Sequence, residues 1–112
     1  IIDGSCQVIY GSYDVSYQLD SDLTHWTYTI ETDSGSKDNR IFTLDVWESG
    51  LSGRATAVYN AELEEIVDGD SESIEDKEFR CTWSGDWEDD MSSLCVDIVS
   101  WALDILDKEV GR

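Results

Sequence analysis

The sequence predicts an α+β fold: five or six antiparallel strands in a meander, with one C-terminal amphipathic helix packed on a face of the sheet. Three observations carry this. Apolar and polar residues alternate with period two in stretches at 13–19, 25–32, 40–48 and 78–83. From Trp87 onward the apolar spacing becomes helical. No helical stretch separates the strands, which disfavours a βαβ unit. The 112 residues fit one compact domain, with no Pro, no internal repeat and no linker composition.

The elements follow in order. "CQVIY" (6–10) and "YDVSYQL" (13–19) flank Gly11-Ser12, which reads as a tight turn or as a bulge within one longer strand. In the second stretch Tyr13, Val15, Tyr17 and Leu19 share a face. "HWTYTIET" (25–32) sets Trp26, Tyr28 and Ile30 on one face, and "DSGSKDN" (33–39) has loop composition. "RIFTLDVWE" (40–48) alternates with Phe42, Leu44 and Val46 inward, and "SGLSG" (49–53) reads as the next turn. "RATAVYNAEL" (54–63) reads as a strand continuing to about Glu64, although "NAELEEIV" could form a short helix capped by Asn60. "IVDGDSESIEDKEF" (66–79) reads as a hairpin-type connection, and "EFRCTW" (78–83) as the last strand, with Phe79, Cys81 and Trp83 inward.

From Trp87 to Glu109, the residues Trp87, Met91, Leu94, Cys95, Ile98, Val99, Ala102, Ile105 and Leu106 form a helical apolar face. Asp86 suits the N-cap, Glu88, Asp89 and Asp90 the positive end, Lys108 the negative end, and Gly111 the stop. Asp90, Ser93, Asp97, Ser100, Asp104 and Asp107 fall on one arc of this helix with no base among them. Asp90, Asp97 and Asp104 repeat every seven residues, a rise of about 10.5 Å per step. A solvated face is the ordinary explanation of such a stripe. Yet such faces normally mix Glu with Lys for i,i+4 support, and Asp and Ser are weak helix formers.

Charge is the outlying property. Asp and Glu total 26 against 7 Lys and Arg, a net charge of −19. A negative potential of several kT repels nucleic acid and anionic membranes and attracts basic proteins. Hydrophobic residues at 40% separate the chain from disordered acidic tails. No apolar run is long enough to cross a membrane, and no signal-peptide pattern is present. The chain opens on Ile1-Ile2 rather than Met, so further residues are expected upstream. A cytoplasmic location is expected, the host cytoplasm if the protein is phage-encoded.

Cys6, Cys81 and Cys95 are widely spaced and odd in number, which argues against a disulfide scaffold and a zinc site. Buried free thiols are expected, and spacing alone leaves a Cys81–Cys95 bridge open.

Tests for chemistry fail one by one. An EF-hand frame started at Asp68 places Ser73 at position six and Phe79 at position twelve, where Gly and Glu are required; started at Asp70 it places Ile74 at position five. The single histidine, His25, has no nucleophile motif beside it. Acid pairs arise by chance among so many acids, and the glycines fit no phosphate-binding frame. The chain is expected to be non-enzymatic, without cofactor or metal. Aromatic strands such as "HWTYTI" could stack on bases, but no basic groove accompanies them, so direct nucleic-acid binding is not expected.

The remaining candidates are partner-binding residues. On the helix they are Asp90, Asp97, Asp104, Asp107 and, at the edge of its apolar arc, Trp101. In the acidic connection they are Asp70, Glu72, Glu75 and Asp76, and Trp47 lies on its strand's face opposite Phe42, Leu44 and Val46. An exposed Trp amid acids is an interface anchor, whereas a covered second sheet face would make it ordinary packing. The organisation is similar to that of the acidic DNA-mimic class: anti-restriction, anti-CRISPR and glycosylase-inhibitor proteins, and immunity proteins of nuclease toxins. The likeness is one of size, charge and architecture, and no motif carries residues across. It implies an inhibitor occupying the basic surface of a nuclease or another nucleic-acid-binding protein; a homodimer is compatible with it. Two alternatives stand beside it. Few Lys (3) and more Asp than Glu also characterise salt-adapted domains, and an acidic chaperone or adaptor would hold a basic client.

Overall fold

The computed structural model describes residues 5–10, 13–19, 25–33, 35–51, 56–82 and 84–111. Six strands form one sheet: β1 (Ser5–Tyr10), β2 (Tyr13–Leu19), β3 (His25–Glu31), β4 (Ile41–Leu51), β5 (Thr56–Val67) and β6 (Asp70–Thr82). One helix follows, α1 (Trp87–Glu109). Strand order is chain order, and every neighbouring pair is antiparallel. This is the expected α+β meander. Tyr10 pairs with Tyr13, so β1 and β2 are two arms and not one bulged strand.

The alternation becomes a two-faced sheet. Val15, Ile30, Phe42, Leu44, Val46, Ala61 and Leu63 are buried on one face. Against them α1 sets Leu94, Cys95, Ile98, Val99, Ala102 and Leu106, all buried. The helix begins beside the end of β6, where Cys81 Sγ lies 3.7 Å from the carbonyl oxygen of Asp90. It ends at the opposite end of the sheet. There the Tyr13 hydroxyl donates to Asp107 at 2.7 Å, and Arg40 Nη1 donates to the Glu109 carbonyl at 3.2 Å. The Asp86 side chain accepts from the Asp89 N–H at 3.3 Å, and the Val110 N–H closes the last turn on Leu106 at 2.9 Å. The expected limits and N-cap of the helix hold.

Three sequence expectations are corrected. "SGLSG" does not begin a turn at Ser49, because β4 continues to Leu51 through a bulge between Glu48 and Gly50. β5 runs to Val67, beyond Glu64, and "NAELEEIV" is strand throughout. The connection at 66–79 is mostly strand as well: only Asp68-Gly69 turns the chain. Their φ values of 53° and 84° are the left-handed pair a two-residue type I′ hairpin needs. β6 then runs for 13 residues with most side chains exposed. A second bulge, between Leu63 and Glu64, leaves Ile74 as the extra residue on β6, where it packs against the core. Trp83, expected inward, lies outside the described residues.

Candidate acidic binding surface

The face of the sheet away from α1 follows from the register. Thr27, Asp45, Glu62 and Asp76 form one row across β3 to β6. Thr29, Thr43, Glu64 and Ser73 form the next row, and His25, Trp47, Asn60 and Glu78 the row on the other side. Neighbours within a row stand about 4.8 Å apart and successive rows about 7 Å apart. No described element lies over this part of the sheet. Asp45, Glu62, Glu64 and Trp47 are partly exposed, and Asp76 and Glu78 are exposed.

Like charges placed directly across a ladder repel, at a cost of about 0.2–1 kcal/mol per pair. Glu62 sits in this crowded setting. Burial raises its carboxyl above the ordinary value, and so do the hydrogen bond and charge of Glu64 and the charge of Asp45; Ser73 partly opposes this. Thr27 Oγ1 donates to Asp45 Oδ1 at 2.7 Å, which fixes one end of the row. Arg80 is the one Arg or Lys in these rows and the next, and it lies 3.8 Å from Glu78 with both side chains exposed. An exposed pair at that distance contributes little.

The sequence candidates separate into distinct places. Asp76 and Trp47 belong to this open face. Asp70, Glu72 and Glu75 pair with Val67, Glu65 and Leu63, which places them on the helix side of β6. Asp97 and Asp104 are exposed on α1, Asp97 beside β6. Two acids of the helix stripe have local structural partners. Asp90 accepts from the Ser84 N–H at 2.8 Å and from its Oγ at 2.9 Å, so it staples the entry to the helix. Asp107 accepts from Tyr13. Trp101 is half-buried with its ring 5.7 Å from that of Phe79 at 74°, and it packs against β6.

Asp70, Glu72 and Glu75 thus share the helix side of the sheet with the α1 stripe, while Asp76 lies on the other face. Asp45 and Glu62, absent from the sequence candidates, are the carboxylates that register gathers into a row with Asp76, and Glu64, also absent from them, stands in the next row. The signal was their place on the polar face of alternating strands, but only the strand pairing aligns them. Among the described residues no group of three or more His, Cys, Asp or Glu is arranged to hold a metal ion. No helix among them is long and apolar enough to cross a membrane. Comparison with protein-family models, curated proteins and solved structures yields no match to this chain.

Proposed function

We propose that this protein is a non-enzymatic acidic binding domain that engages the basic surface of a partner, of the kind nucleic-acid-handling proteins carry. One observation supports the reading above others: the row Asp45–Glu62–Asp76, joined by Glu64 and flanked by Trp47, on an uncovered sheet face. Carboxylates fixed on paired strands need no ordering when a cationic groove arrives, and their mutual repulsion is relieved by it. Trp47 adds apolar area at the edge of the charge. Duplex DNA presents a charge every 1.7 Å or so of axis, so a groove built for it accepts closely spaced anions.

Affinity capture from lysate followed by competition tests this. A nuclease or other nucleic-acid-binding protein should be retained and then displaced by duplex DNA. The triple variant Asp45→Asn, Glu62→Gln, Glu64→Gln should retain markedly less of it. Capture that neither DNA nor the triple variant affects would refute the reading.

A second reading has its own support. Acids are also exposed on α1, at Asp89, Asp97 and Asp104, so charge covers two opposite sides of the fold. Such spread is what salt adaptation produces. Thermal unfolding across a salt series separates the two: a fold that forms only in molar salt favours adaptation, and one stable at low salt favours the partner.

A further inference from the structure

β6 is the last strand of the sheet, and among the described residues no strand pairs with its outer edge. The backbone N–H and C=O groups on that side are a template for another strand. The bulge at Ile74 interrupts it, and from Glu75 to Thr82 the pairing with β5 runs without a shift, from Leu63 to Thr56. This gives an uninterrupted edge of eight residues, about 26 Å long.

A depression of about 180 Å³ lies along this segment, at the seam between β6 and α1. Phe79, Cys81 and Leu94 give it apolar walls, and Asp90 and Asp97 contribute carboxylates. An apolar floor with acids beside it suits an Arg or Lys: the stem packs and the head meets the carboxylates. The Phe79 ring already holds one cation, with Lys77 Nζ 5.1 Å from its centroid.

Charge decides among occupants. A second copy would bring another −19 to the same edge, and nucleic acid would bring phosphates. Lys77 and Arg80 are the two bases on the segment, outnumbered by Glu75, Asp76 and Glu78 on it and by Asp90 and Asp97 at the seam. We propose that β6 from Glu75 to Thr82 accepts an extended basic segment of a partner protein as a seventh strand, with one Arg or Lys side chain seated between β6 and α1. This rests on the partner reading only for the sign of the partner's charge.

The probe is a synthetic peptide alternating Arg or Lys with Val, set against a peptide of equal length and charge interrupted by prolines. Titration calorimetry at low salt should give binding of the first at least about tenfold tighter than the second. Saturation should slow amide exchange in β6, at outward-facing positions from Glu75 to Thr82, by about tenfold or more. Asp97→Asn, an exposed substitution that leaves the fold intact, should weaken the first peptide about threefold. Equal binding of both peptides without slowed β6 exchange would overturn strand addition, and the charge-based reading would stand. If neither peptide binds at low salt, both fall.

Discussion

Tyr13 donates a 2.7 Å hydrogen bond to Oδ1 of Asp107, joining the start of β2 to the last turn of α1 across 94 positions of sequence. The donor is buried and the acceptor half-exposed, so removing the hydroxyl lets water reach the carboxylate. Tyr13→Phe should lower stability by about 1–2 kcal/mol in urea unfolding. Combining it with Asp107→Ala should cost clearly less than the sum of the two single changes.

Arg40 and Glu65 make a pH-dependent tie on the same side of the sheet. Arg40 Nε and Nη2 reach the two carboxylate oxygens at 2.9 and 2.8 Å. The hydrogen bond to Arg40 holds the Glu65 carboxyl below its ordinary value of 4.5, and burial only partly opposes it. A depressed folded value means the contribution is complete above the unfolded value and is lost as pH falls through the folded one. With the Arg40 side chain 34% exposed, Glu65→Gln should cost only about 1 kcal/mol at pH 7. Chemical denaturation at stepped pH should show wild type and variant converging below the carboxylate range.

Glu62 carries the opposite sign. Burial and then Glu64 raise its carboxyl above 4.5. The folded state thus binds the proton more readily, and stability falls as pH rises from the unfolded value through the folded one. Glu62→Gln should stabilise the protein at pH 7 by up to about 1 kcal/mol. The gain should shrink in acid and in high salt, which a melting series over pH and ionic strength reads directly.

The thiols should be inert. Cys81 and Cys95 are free and buried. Burial pushes Cys95 up to about 11, and burial and then Asp90 raise Cys81. In a Cys6→Ser background, thiol titration at pH 8 should run at least about a hundredfold slower in the folded protein than in urea, because the thiolate is the reacting form. Prompt labelling of Cys95 without denaturant would contradict the burial.

The helix could be read in the sequence because Leu94, Cys95, Ile98, Val99, Ala102 and Leu106, at 3.6 spacing, are the residues buried against the sheet, and Asp86 caps where capping chemistry places it. β3 and the first part of β4 were legible for the same reason, one face being buried and the other wet. β6 was not. From Asp70 to Glu78 only Ile74 is even partly buried, so there is no alternation to detect. The strand is held by backbone pairing to β5 and by the Asp68-Gly69 turn, whose signal was masked by acids on both sides. The row Asp45–Glu62–Asp76 escaped notice for another reason. Its members lie far apart in the chain, and only the bulge beside Glu64 sets which acid of β6 stands opposite which acid of β5.

Strand order that repeats chain order has a kinetic meaning. Each pairing in the sheet closes a short connection, so the meander can zip one hairpin at a time with little loop entropy to overcome. Among the described residues the helix reaches furthest back, from the end of β6 to Tyr13 and Arg40. Its docking closes long stretches of chain. A chain stalled before it would hold Phe42, Leu44 and Leu63 open to water, an aggregation-prone state that the net charge of −19 helps keep dispersed.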